Sequence, residues 1–516
     1  MTASREETYS QIGKASVIIV SLTFIDKILA VVKEIAIASR FGISPSLDVF
    51  NIAFAYPGIL LLLSSGALLS TFVPLYLEWT QRLPRVEANA RTLALFLSCG
   101  ILFAAIAAGS CLLAPYFMPL LGPGFDSEQL LLGIELERWL VLLIVLDGVG
   151  IILNGLLYAD KRFTALYTAP LFINCAVIGF LLFQSQLGIH TLVWGFLAGS
   201  LMRLCYLILV VRLSGFRFLA RPHFDRIALL AFLGLAFPML GSELIANGNI
   251  LVDQIMATQL SAGSVSTLRY AYRLNDLPIQ IVVMAFSKAI FPFVSERALE
   301  KDFAGLRDLY RNSLILLALL TLPITGLVFL FAREAVSLLL QRGAFDQEAT
   351  NLTAATLQYY SCGLFFYGYT FVNGVFFVAL KQTSTLFRMG CLSLVLNCSL
   401  NILFMTFMGV RGIAFSTTVT LGILSAGFVF LLKGHLQVAR VASYFRELGG
   451  IAVAAGIACG LGWLSKSSGQ SYGVQEWANL IIGVMVVLVT YLLSLRLVGG
   501  KAWLSGLSLF VPQWRR

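Results

Sequence analysis

Apolar runs of roughly 20 residues recur along this chain from near residue 15 to near residue 496, and each is long enough to cross the hydrocarbon core of a bilayer as a helix. Backbone polar groups in hydrocarbon must be satisfied internally, which a helix does within one segment. The recurrence therefore points to an all-α polytopic membrane protein. Composition agrees: of 516 residues, 59% are hydrophobic and 12% charged, too few charges to cover a soluble surface of this size. The first run already carries Asp26, Lys27, Lys33 and Glu34, unlike the apolar centre of a cleavable signal.

Hydropathy predicts about 14 transmembrane helices. They lie near 15–38, 49–75, 92–115, 138–159, 164–184, 191–211, 228–258, 265–294, 312–332, 353–380, 389–409, 412–432, 447–465 and 477–496. With a cytoplasmic N-terminus, inner loops and tails hold 24 Lys and Arg, against 5 in outer loops: Arg40, Arg333, Arg342, Arg411 and Lys466. The positive-inside rule thus assigns both termini to the cytoplasm. The net charge of +10 follows those loops, which argues for membrane lipids and against nucleic acid as partners. The eight cysteines fall in or beside apolar runs, with no CxxC or Cys/His ligand spacing, and read as packing residues.

The two halves resemble each other at an offset of about 220 residues, a symmetry common among transporters. DVFNIAFAYP (48–57) answers to LRYAYRLNDLP (268–278), and TFVPLYLEW (71–79) to AIFPFVSER (289–297). Asn154-Gly155, Lys161 and Asn174-Cys175 answer to Asn373-Gly374, Lys381 and Asn397-Cys398. Six spans per half, an even number, make the repeat parallel. The expected organisation is an N-lobe (12–222, spans 1–6), a C-lobe (223–440, spans 7–12) and an extra helix pair with a cytoplasmic tail (441–516, spans 13–14). Twin lobes predict a cleft between them and rocking of one on the other.

An ionisable side chain at mid-bilayer costs at least ~2.5–3.5 kcal/mol and is kept where it lines a wet cavity or pairs. Here such residues concentrate in the first two spans of each repeat. Span 1 carries Asp26, Lys27, Lys33 and Glu34; span 8 carries Arg269, Arg273, Asp276, Gln280 and Ser287 on one stripe, interrupted by Pro278, which predicts a kink. Span 7 places Ser242, Asn249 and Asp253 on one face and Glu243 and Asn247 on another. Lys27, Lys33, Arg269 and Arg273 would make a cationic patch suited to a phosphate-bearing substrate. The alternative is internal pairing, of Arg273 with Asp276 or Asp253 and of Lys33 with Asp26. For the isolated Asp147 and Arg203, pairing or snorkelling is expected. Asp253, Asn397, Asn401 and Thr418 offer oxygens to a small cation.

An enzyme acting on a membrane-bound glycan would need acidic or metal-binding residues and a sizeable domain outside the membrane. The longest loops are about 20 residues, and His190, His223 and His435 do not cluster. A transporter is the better reading, and cationic drugs would be repelled by the patch.

Several segments resemble the bacterial lipid II flippase family (MurJ, also called MviN) of the multidrug/oligosaccharidyl-lipid/polysaccharide exporter superfamily. They are EIAIASRFGISPSLDVFNIAFAYP followed by SGALLSTFVP, LVDQIMATQLSAGSVSTLRYAYRLNDLP, LLLQRGAFDQEAT, GLLYADKRF and VLNCSLNIL. The resemblance covers roughly 12–440, and the extra helix pair is also a family feature. It implies a monomeric flippase of the bacterial cytoplasmic membrane. Such a protein moves a polyprenyl-pyrophosphate-linked sugar, a lipid II-type peptidoglycan precursor, to the outer leaflet by alternating access. By position, the family's cavity arginines in span 1 fall on Lys27 and Lys33, that of span 8 on Arg273, and its acidic residue opening span 2 on Asp48. Its sodium-site acid falls on Asp253 and the span 11 ligands on Asn397 and Asn401, which makes Na+ a candidate coupling ion; no other cofactor is implied.

The departures are informative. Both span 1 arginines are lysines, which keep the charge and lose the bidentate fork. The family's span 2 arginine falls on Leu61 or Leu62, an expected Glu is Ser65, and the span 11 acid is Asn401. These changes leave open a flippase for another lipid-linked saccharide, such as an exopolysaccharide or O-antigen repeat unit.

Overall fold

The computed structural model describes residues 2–216, 218, 222–223, 234, 247–436, 441–472 and 475–498, and among them every regular element is helical. The bulk of expected span 7, with Ser242 and Glu243, lies outside the described residues, as does the tail beyond 498; side chains are not described over 62–70.

Two compact units emerge. The first comprises Met1–Leu251 with two short pieces from later in the chain, Ser261–Gly263 and Arg342–Phe345. Its helices are α1 (Thr2–Phe41), α2 (Pro45–Arg82), α3 (Arg85–Leu121), α4 (Ser127–Leu140), α5 (Leu142–Ala159), α6 (Phe163–Thr168), α7 (Leu171–Phe183) and α8 (His190–Leu213). A helix over 247–257, α9, crosses from this unit to the next. Phe72, Phe103, Ile152, Leu156 and Leu207 anchor the first unit's core, where α2, α3, α5 and α8 meet.

The second unit contains α10 (Ser264–Pro278), α11 (Ala285–Leu299), α12 (Phe303–Leu330), α13 (Ala332–Leu340), α14 (Gln347–Cys362), α15 (Leu364–Ala379), α16 (Thr383–Met408), α17 (Val410–Leu436), α18 (Val441–Ser471) and α19 (Glu476–Val498). The expected disturbance at Pro278 takes a definite form. Six residues of π-helix, Ile279–Met284, join α10 to α11. The wider turn accommodates the proline's missing N–H and its ring.

The α18–α19 pair packs on α12 through Ile315, Ala318, Ile451, Ala458 and Val487. Ion pairs add to this packing. Arg311 binds Glu447 near the start of α18. Further along, Lys466 Nζ lies 2.8 Å from Glu334 Oε1 and donates to the Leu330 carbonyl at 2.7 Å. The Tyr491 hydroxyl donates to the Leu319 carbonyl at 2.9 Å.

Ten described helices are long and apolar enough to cross a membrane, eleven if α14 and α15, bent by 41° at Gly363, form one span. About 14 were expected from hydropathy. The gap has identifiable sources. α1 carries four charges within its apolar stretch, Pro45–Leu61 is apolar but shorter, and span 7 lies mostly outside the described residues.

Lys161 and Lys381, matched by the sequence repeat, end α5 and α15 in the same way. Each has φ near +57° (57° and 58°), and the following N–H reaches back five residues, Arg162 to Leu157 and Gln382 to Phe377, at 2.8 Å. This closure normally uses glycine at the left-handed position.

Candidate functional site

In the first unit, α1 presents its charges to α7 and α8. Asp26 Oδ1 accepts from Asn174 Nδ2 at 2.9 Å. Lys33, half-buried, holds its ammonium 5.3 Å from the Phe196 ring centroid, where the ring's quadrupole attracts it. Lys27 is exposed. The internal pair contemplated for Asp26 and Lys33 is replaced by these two separate contacts. Asp147 and Arg203 pair with each other at 3.3 Å, as expected, and Ser200 donates to the same carboxylate at 3.0 Å.

Asp48, in the first turn of α2, is only 3% exposed. Its Oδ2 accepts the Gly263 N–H at 2.6 Å. Beside it, the Ala344 N–H donates to the Ser39 carbonyl at 2.7 Å. These bonds tie the two short later pieces to the α1–α2 turn. Gly263 has φ +88°, and a Cβ there would lie 2.7 Å from the Ile43 oxygen; Gly343 has φ +57°, with a Cβ 2.1 Å from the Ser39 oxygen. Only glycine combines that backbone with so close an approach. Asp48 thus holds a loop in this structure.

In the second unit, α10 carries Arg269 and Asp276 half-buried and Arg273 exposed. Among the described residues no carboxylate forms an ion pair with Arg273. Gln280 Nε2 approaches Asp276 Oδ1 at 3.4 Å across one turn. The pairing contemplated between Arg273 and Asp276 or Asp253 is therefore not formed.

Asp253 lies instead in a polar knot of its own and is 5% exposed. Its Oδ1 accepts from Asn397 Nδ2 at 2.6 Å and from Asn401 Nδ2 at 2.7 Å. Thr417 Oγ1 donates to Oδ2 at 3.1 Å, and Ser416 donates to Asn401 Oδ1. Three of the four residues singled out for a cation site are thus brought together. The fourth, Thr418, turns away and donates to the Tyr359 carbonyl at 2.7 Å. Successive residues of a helix step by 100°, so Ser416, Thr417 and Thr418 on α17 meet α16, α9 and α14 respectively. The hydroxyls of Ser416 and Thr417 were missed in the sequence, where nothing fixes the rotation of α17 about its axis.

The knot's chemistry fits a small hard cation. It offers one carboxylate, two amide oxygens and two hydroxyls, and the Asn397 Oδ1 is buried with no hydrogen-bond partner. Hard monovalent cations take oxygen ligands of this kind.

Comparison with known proteins gives a consistent picture. A family model described as "Lipid II flippase MurJ" matches residues 37–483. A probable lipid II flippase MurJ of Thermotoga maritima is 30% identical over 413 residues, covering 79% of this chain and 82% of the relative. One from Vibrio cholerae is 24% identical and covers 94% and 96%. Among solved structures, a lipid II flippase MurJ in an inward closed conformation superposes with a TM-score of 0.79 at 22% identity, over 97% of this chain and all of that one. An inward-facing multidrug resistance transporter of the MATE family gives 0.69 at 13% identity. The last two establish the fold.

Proposed function

Because this chain belongs to the lipid II flippase MurJ family, we propose that it carries a polyprenyl-pyrophosphate-linked glycan across the cytoplasmic membrane of a bacterium. The cargo is a lipid II-type peptidoglycan precursor, delivered from the cytoplasmic to the outer leaflet by alternating access. The protein acts as a monomer with both termini in the cytoplasm. The observation that carries this reading is the exposure of Lys27 and Arg273 on apolar helices, without a carboxylate partner among the described residues. A cation left unneutralised within an apolar helix is costly unless it serves an anion, and a pyrophosphate offers several charged oxygens to Lys and Arg.

Lys27, Lys33, Arg269 and Arg273 bind the head group electrostatically, and Asp276 orients it by accepting from its sugar. Na+, held by Asp253, Asn397, Asn401 and Thr417, is the candidate coupling ion and supplies positive charge to the knot. The membrane potential is a second driver, worth ~2.3 kcal/mol per unit charge per 100 mV.

The test is outer-leaflet accessibility of defined lipid-linked glycans in vesicles with and without the purified chain. Faster exposure of the peptidoglycan precursor supports the reading. Exposure of an exopolysaccharide or O-antigen unit alone would assign the second cargo, which the lysines at positions 27 and 33 favour because they lack the arginine fork. No exposure of either cargo from correctly folded protein sinks the proposal.

A further inference from the structure

We propose that Thr417 and Tyr360 form a relay that reports the charge on Asp253 to the cationic face of α10, making both positioning residues for the head group. The inference rests on the anion-binding reading of Arg273.

The relay begins with a hydroxyl that has one proton and two acceptors. Thr417 Oγ1 lies 3.1 Å from Asp253 Oδ2 and 3.1 Å from the Ile413 carbonyl, one turn back on α17. It can donate fully to only one of them. A hydrogen bond to an ionised acceptor is roughly twice as strong as a neutral one, so an anionic Asp253 draws the proton. Neutralising Asp253 removes that advantage and returns the proton to the helix carbonyl, a common local partner for threonine.

Turning the Thr417 hydroxyl also turns the lone pair it offers to its next neighbour. The Tyr360 hydroxyl, buried on α14, hydrogen-bonds Thr417 and lies in the field of Asp253. The Tyr360 ring meets the Tyr272 ring edge-on, with centroids 6.0 Å apart and planes at 73°. Tyr272 precedes Arg273 on α10, and its hydroxyl feels Asp276, Tyr367, Arg273 and Asp253. An unbroken set of contacts within the second unit therefore runs from the knot to the residues assigned to the head group. It contains a two-position element, the physical requirement for coupling between sites.

The test is a double-mutant cycle on the full chain in lipid nanodiscs, with undecaprenyl pyrophosphate as probe. Asp253→Asn, which removes the charge, is measured in the natural chain and in Tyr360→Phe and Thr417→Val backgrounds. Both background changes keep side-chain shape and delete a hydroxyl. The expected result is a shift in probe affinity of about fivefold or more from Asp253→Asn alone. The shift falls below about twofold in either background, and Thr417→Ser restores it. An equal shift in all backgrounds, or none in the natural chain, overturns the relay. Arg273→Ala is run alongside: if it leaves probe affinity unchanged, the anion-binding reading fails and takes the relay with it. If it weakens binding while the cycle shows no coupling, the relay alone is wrong.

Discussion

Arg273 and Gly263 illustrate two ways in which one side chain governs this molecule. Arg273 supplies a positive charge and a planar fork on an apolar helix. Arg273→Ala is expected to reduce transport to background while leaving membrane expression intact; Arg273→Lys, with the charge but not the fork, should retain part of it. An accessibility assay on matched amounts of protein checks both. Gly263 supplies a backbone conformation. At φ +88°, facing the Ile43 oxygen, a methyl group adds both strain and a clash. Gly263→Ala should therefore lower stability by about 1–3 kcal/mol in denaturant titration. Asp48→Ala should act on the same loop by leaving the Gly263 N–H without its acceptor.

At the scale of elements, the α18–α19 pair is fixed to the rest of its unit by charge as well as by apolar packing. Glu334 is 6% exposed, so removing its partner leaves a buried carboxylate uncompensated. Lys466→Ala should cost about 3–5 kcal/mol, and adding Glu334→Gln should recover a large part of that. Thermal unfolding in detergent of both variants checks the pair. The start of α12 offers a pH test. Asp302 caps it, accepting from Gly305 N–H at 2.8 Å and from Arg297 at 2.6 Å. The Gly305 N–H first, and then Arg297, hold its carboxyl below the usual range. A lowered folded value means the contribution is present above the ordinary carboxylate pKa and lost as pH falls through the lowered one. The difference in melting temperature between the natural chain and Asp302→Asn should be constant at neutral pH and vanish below roughly pH 4.

For the whole molecule, the distribution of basic residues makes an orientation testable. In a cysteine-depleted chain, single cysteines at Lys301 and Lys381 should react with a membrane-impermeant thiol reagent only from the cytoplasmic side, and one at Arg411 only from outside. The reverse pattern would invert the assigned topology. Much of this architecture is legible in the chain because bilayer thickness imposes span length and charge bias imposes sidedness. The offset repeat, the pairing of Asp147 with Arg203 and the gathering of Asp253, Asn397 and Asn401 follow from the same reading. Tertiary structure alone decided that Thr417 and not Thr418 meets Asp253, that Asp48 holds a loop, that Lys466 finds Glu334, and that Pro278 leads into a π-turn. Helical periodicity tells which residues share a face, but the neighbour that face meets depends on each helix's rotation about its axis. That rotation is settled by packing among segments far apart in the chain.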